Sequence, residues 1–118
     1  MRIWVIEDQE RWQEMIRRHL IEEFGEHIII VQSWSLEEAE TELATGRAVD
    51  LIALDACLWD KLIINVLPLL EKIREKYDCP IVAISSIKEF NRTLLKNGCD
   101  FSCEKWHLSS FAREILGG

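Results

Sequence analysis

The chain has no basic run longer than the pair Arg17-Arg18, only 2 prolines and 5 glycines, and no apolar stretch of membrane-spanning length. Each shortage excludes something. With 14 Lys and Arg against 21 Asp and Glu, for a formal net charge of −7, and with no basic cluster, the chain offers no footing for nucleic-acid phosphates. The other basic residues are interleaved with Glu, as on solvated helix faces. A bilayer span needs about 18 apolar residues in a row. The first ten residues already carry Glu7, Asp8 and Glu10, which predicts no signal peptide and a cytoplasmic location away from any membrane surface. No linker, repeat or low-complexity tract interrupts residues 1–118, which therefore read as one domain. At this length, with 48% hydrophobic residues, a core can form without disulfides or a structural metal. The 4 cysteines (Cys57, Cys79, Cys99, Cys103) accordingly read as unbridged thiols packed like small hydrophobes.

What is present alternates strictly between two periods. Ile3–Ile6, Ile28–Val31, Leu51–Leu54 and Ile81–Ile84 are short, branched apolar runs of the buried-strand kind, and Phe101–Cys103 is a weaker fifth. Between them the period lengthens to that of a helix. Trp12, Met15, Ile16, Leu20 and Phe24 stripe the segment from Gln9 to Phe24, which Gly25 ends. Ser35 and Glu38 form a capping box for a helix carrying Leu36, Ala39 and Leu43 to Gly46. Leu69, Leu70, Ile73 and Tyr77 stripe a third helix that starts close to Pro68, because proline is tolerated in a first turn. Ile87, Phe90, Leu94 and Leu95 mark a fourth, and Leu108, Phe111, Ala112 and Ile115 a fifth. Strands alternating with helices predict an α/β domain with a parallel sheet. The cost of this reading is an apolar loop of about eleven residues, 56–66, that contains Leu58, Trp59, Leu62, Ile63 and Ile64 beside Asp55.

In such a sheet ligands collect beyond the carboxyl ends of the strands. Glu7 and Asp8 end the first strand, Asp55 the third and Ser85 the fourth, and Lys105 follows the fifth. Strand-end acids often do no more than cap the next helix. Five polar groups at four strand ends are better explained by a shared site. Carboxylates forced together repel unless a cation neutralises them, and an all-oxygen ligand set suits Mg²⁺. A second metal-like spacing, Cys99, Cys103 and His107, fails because residues i and i+4 of a strand lie roughly 13 Å apart.

Glu7-Asp8, Asp55, Ser85 and Lys105, with 30 residues from Asp55 to Ser85 and 20 from there to Lys105, resemble the CheY-like receiver domain of two-component response regulators over essentially the whole chain. The resemblance implies a flavodoxin-like (βα)5 three-layer sandwich with strand order 2-1-3-4-5. It also implies a protein that is not an enzyme in its own right, but a phosphoacceptor assisting its own phosphorylation and dephosphorylation. Asp55 would accept the phosphoryl group. Asp8, Asp55 and the backbone carbonyl of Cys57 would bind Mg²⁺, and Glu7 would act through water. Lys105 and Ser85 would contact phosphoryl oxygens. The implied partners are a histidine kinase or phosphotransfer protein and a downstream protein target or separate output domain. A second copy of the chain, joined through helix four, strand five and helix five, is a further candidate.

The sequence departs from that family at three places. Trp59 stands where the family usually has proline, followed by Asp60 without the usual glycine. Trp106 replaces the proline after Lys105, so a cis bond there would cost about 3 kcal/mol. Ser102 occupies the aromatic switch position, with Phe101 displaced to the other face. These departures, with the apolar loop, support an alternative: a degenerate receiver that binds proteins without being phosphorylated. An aspartate-nucleophile phosphohydrolase fits less well, since it needs two aspartates two residues apart after the first strand, where this chain has Glu7-Asp8-Gln9-Glu10. Of the 5 tryptophans, Trp4 and Trp12 are expected to be partly buried in the core, whereas Trp59 and Trp106 flank the site and would either cover it or face a partner. Cys57 and Ile87 stand where side chains able to orient water speed dephosphorylation, so a phosphorylated Asp55 is expected to be long-lived.

Overall fold

The computed structural model describes residues 1–59 and 62–117. Five strands, β1 (Arg2–Ile6), β2 (Ile29–Ser33), β3 (Leu51–Leu54), β4 (Ile81–Ala83) and β5 (Phe101–Ser102), form one sheet of order β2-β1-β3-β4-β5. All four pairings are parallel. The parallel α/β sheet is what the alternating pattern predicts, and its order is that of the flavodoxin-like fold the resemblance implies. Five helices lie between and after the strands: α1 (Glu10–Phe24), α2 (Leu36–Thr45), α3 (Leu67–Lys76), α4 (Lys88–Lys96) and α5 (Leu108–Leu116). A single 3₁₀ turn over Lys105–His107 leads into the last, an element the periodicity does not reveal.

The sheet has a hydrophobic layer on each face because alternate strand residues point opposite ways. Trp4, Ile6, Ile52, Leu54, Ile81 and Ala83 pack under α2, α3 and α4. Ile3, Val5, Leu51, Ala53, Val82 and Ile84 pack against α1 and α5. β1, β3 and β4 are covered on both sides, which is why they read as continuous apolar runs.

Helix ends follow local chemistry. Gly46, at φ 66°, ends α2 in the left-handed region that glycine enters without strain. Ser35 Oγ accepts the Glu38 N–H at 3.1 Å, as a capping box requires. Glu38, however, reaches back to the N–H of Trp34 at 2.9 Å rather than to that of Ser35. Pro68 lies in the first turn of α3.

Between β3 and α3 the chain is closed at its base by Asn65. Its N–H donates to Ala56 O at 3.2 Å, its side-chain oxygen accepts the Leu58 N–H at 2.9 Å, and its amide donates to Leu58 O. This clasp pairs backbone groups of Ala56, Leu58 and Asn65. Trp59 is 91% exposed and Leu62 82%. Asp60, part of the departure at this turn, lies outside the described residues.

Candidate functional site

Parallel pairing brings the ends of β1, β3, β4 and β5 to one edge. Three carboxylates meet there: among the described residues, one oxygen from each of Glu7, Asp8 and Asp55 lies within 4.8 Å of the others, the sole such cluster of potential metal ligands. Cys99, Cys103 and His107 form none.

Glu7 is wholly inside and Asp55 nearly so, while Asp8 is half-buried. Lys105, equally buried, places Nζ 2.8 Å from Glu7 Oε2 and 3.6 Å from Asp55 Oδ1. At rest the ammonium therefore sits closer to Glu7 than to Asp55. It also lies 5.3 Å from the centre of the Trp12 ring, with the Arg11 guanidinium 5.2 Å from the same centre. One aromatic ring thus holds two cations at the mouth of the site. Trp12 is half-buried, as expected, and also lines the site.

Burial sets the electrostatics. Loss of hydration, reinforced by the charge of Asp55, lifts Glu7 from 4.5 to about 7 against the pull of Lys105. Asp55 is lifted from 3.8 to about 6, again mainly by burial, with Lys105 and the Ala56 amide opposing. Lys105 alone leaves the charges of this pocket incompletely balanced. Glu7 Oε2, buried and without a hydrogen bond of good geometry, meets the ammonium only as an ion pair. A buried carboxylate oxygen balanced by that one ion pair, neighbouring carboxylates and an all-oxygen donor set fit a hard divalent cation such as Mg²⁺.

A cavity of about 230 Å³ opens beside these groups, lined among others by Asp55, Cys57, Ser85, Lys105, Arg11 and Trp12. Ser85 is fixed from behind. Asn91 accepts its N–H and donates to its carbonyl, both at 2.9 Å, and Ser85 Oγ accepts the Ile87 N–H at 3.1 Å. The hydroxyl hydrogen remains to donate into the cavity.

Gln13 organises the base of the site. Its side-chain amide donates to the carbonyls of Val5, Glu7 and Ser33 at 3.0–3.1 Å and its oxygen accepts from Gln32 at 2.9 Å. Gln13 is a polar residue of α1, yet it is fully buried. Its place one turn before Ile16 is the signal that could have marked it.

The two flanking tryptophans part company. The Trp59 N–H donates to Asp8 Oδ2 at 2.9 Å, and the residue lines a cleft that Asp8 and Trp34 share. Its φ of 85° is left-handed, a conformation costing a bulky residue about 1–2 kcal/mol. Trp106 instead lines a groove with His19 and Glu22 between α1 and α5, stacked on His107 at 5.0 Å. The 3₁₀ turn rotates it away from the cavity that holds Asp55. No described peptide bond is cis. Phe101 packs edge-on against Phe111 of α5 at 5.7 Å, on the face opposite that of Ser102. No helix among the described residues is long and apolar enough to cross a membrane.

No protein-family model matches the sequence, and no curated protein matches it. Solved structures do match in fold. The signal receiver domain of a DNA-binding response regulator from Colwellia psychrerythraea superposes with a TM-score of 0.80 at 15% identity, over 100% of this chain and 99% of that one. The phosphorylated cyanobacterial phytochrome response regulator RcpA gives 0.79 at 17%, over 98% and 94%. A Burkholderia pseudomallei response regulator, solved with a phosphorylated aspartic acid, a calcium ion and citrate, gives 0.75 at 19%, over 98% and 65%. The chain has the fold of response-regulator receiver domains.

Proposed function

We propose that the chain is a phosphoacceptor receiver domain, with Asp55 the phosphorylated residue and a divalent cation, Mg²⁺ by its ligand chemistry, the required cofactor. The observation that carries this reading is the convergence of Glu7, Asp8, Asp55 and Lys105 at one strand edge, with Ser85 across the same cavity.

The chemistry follows from those side chains. An Asp55 carboxylate oxygen attacks the phosphorus of a donor, the phosphorus–donor bond breaks, and the leaving group departs with the bonding pair. No proton need be removed from the nucleophile. Asp8 and Asp55 would hold the cation with the Cys57 carbonyl, and Glu7 would act through water. Bound there, the cation neutralises the carboxylates and the incoming phosphoryl oxygens. Lys105, already 3.6 Å from Asp55 Oδ1, would follow the new negative charge, and the Ser85 hydroxyl would donate to another oxygen. Donors of this kind are phosphohistidine proteins, namely a histidine kinase or phosphotransfer protein, and small acyl phosphates. The product is a changed surface that a downstream protein reads.

The test is incubation with acetyl phosphate and Mg²⁺, followed by intact-protein mass. Addition of one phosphoryl group, lost with EDTA and in Asp55→Asn, is the expected result. No addition, with wild type and Asp55→Asn giving the same partner binding, would favour the phosphorylation-independent module. The Lys105–Glu7 pair at 2.8 Å, which partly satisfies the site without a ligand, favours that second reading.

A further inference from the structure

Trp59 combines three observations that burial does not explain. Its side chain is 91% exposed, so packing does not hold it. Its backbone sits at φ 85°, where few non-glycine residues are found. Its N–H nevertheless reaches across 51 positions of sequence to Asp8 Oδ2 at 2.9 Å. The contact that offsets the unfavourable backbone is therefore made by the main chain and ends on a carboxylate of the cation cluster.

We propose that the Trp59 amide is a positioning group for the cation site, holding the Asp8 carboxylate so that one of its oxygens stays within 4.8 Å of those of Glu7 and Asp55. This rests on the reading that these carboxylates take a divalent cation. A hydrogen bond to the back of a ligand fixes its orientation, and loss of such a partner typically weakens metal binding 10–100-fold. The role belongs to this chain's own residue, because a proline at position 59 would have no N–H to give.

The coupling is reciprocal. If the amide steadies Asp8 for a cation, a bound cation steadies the Trp59 backbone. Asn65 holds Ala56 and Leu58 just before it, so Trp59 joins that fixed backbone to the acidic centre. The exposed indole then becomes a marker of cation occupancy.

The experiment uses the full chain and Mg²⁺ alone, with calorimetry for affinity and hydrogen exchange of the Trp59 amide for the bond itself. Two variants separate amide from side chain. Trp59→Pro removes the N–H, and Trp59→Gly keeps it while accepting the positive φ. The expected outcome is 10–100-fold weaker Mg²⁺ binding in Trp59→Pro, wild-type binding in Trp59→Gly, and slower exchange of the wild-type Trp59 amide when Mg²⁺ is added. Equal affinity in Trp59→Pro and wild type overturns the proposal while leaving the cation site intact. Equal loss in both variants also overturns it, by assigning the effect to the indole. Should Trp59→Pro misfold, unchanged exchange of the wild-type amide on adding Mg²⁺ is sufficient to reject it. A wild type that binds no Mg²⁺ removes this proposal and the metal reading together.

Discussion

Glu7→Gln should stabilise the cation-free protein above neutral pH and leave it unchanged in acid. The Glu7 carboxyl is held inside the domain beside Asp55, which lifts it from 4.5 to about 7. Between those values the folded protein keeps a proton that the unfolded chain has released, so stability falls as pH rises through the window. The penalty is complete above about pH 7 and absent below about pH 4.5. A displacement of that size corresponds to about 3 kcal/mol. The net gain is smaller, because Gln leaves the Lys105 ammonium with Asp55 at 3.6 Å as its remaining acidic partner. About 1–2 kcal/mol is expected at pH 8, or roughly 4–8 °C in Tm for a domain of this length. Paired melts of wild type and Glu7→Gln in EDTA at pH 8 and pH 4 measure it. Added Mg²⁺ should then narrow the gap, since a ligand of the native state stabilises the protein that binds it better. A variant less stable than wild type at pH 8 would refute the reasoning, by showing that the 2.8 Å pair with Lys105 outweighs the burial of its carboxylate.

Arg74→Met should cost about 2–3 kcal/mol, read as a lower urea midpoint at unchanged slope, because the guanidinium serves the carbonyls of Gly98, Tyr77 and Cys79 and the carboxylate of Asp100. Burial pushes the Cys79 thiol up to about 11 and those of Cys99 and Cys103 to about 12, so these three should react slowly with iodoacetamide at pH 8 and promptly once the chain is unfolded. A phosphoryl group on Asp55 should persist for hours, because Cys57 is buried and Ile87, at the cavity wall, offers nothing to orient water. Rapid loss of label from purified phosphoprotein would contradict this.

The sheet was legible in the sequence because each central strand is covered on both faces and so reads as an unbroken apolar run. Leu51–Leu54 emerged with the bounds its residues suggest. The carboxylates were legible because the parallel order puts every strand's end at one edge. What was not legible depends on partners remote in sequence. Gln13 looks like a solvated helix residue until β1 and β2 supply the carbonyls of Val5 and Ser33. Trp12 fits the apolar stripe of α1, and only the arrival of Lys105 from the far end of the chain makes its ring a cation seat. Trp106 lies next to Lys105 in sequence, and a single 3₁₀ turn sends it into another groove.

The Asn65 clasp bears on how such a protein can diversify. Asn65 fastens the chain just after β3 in two ways, its main-chain N–H on Ala56 O and its side-chain amide on Leu58. The backbone that follows Asp55 is thereby held in place independently of the exposed Trp59 side chain. That side chain can therefore change in evolution at little cost to the fold, so long as the N–H that Asp8 accepts is kept.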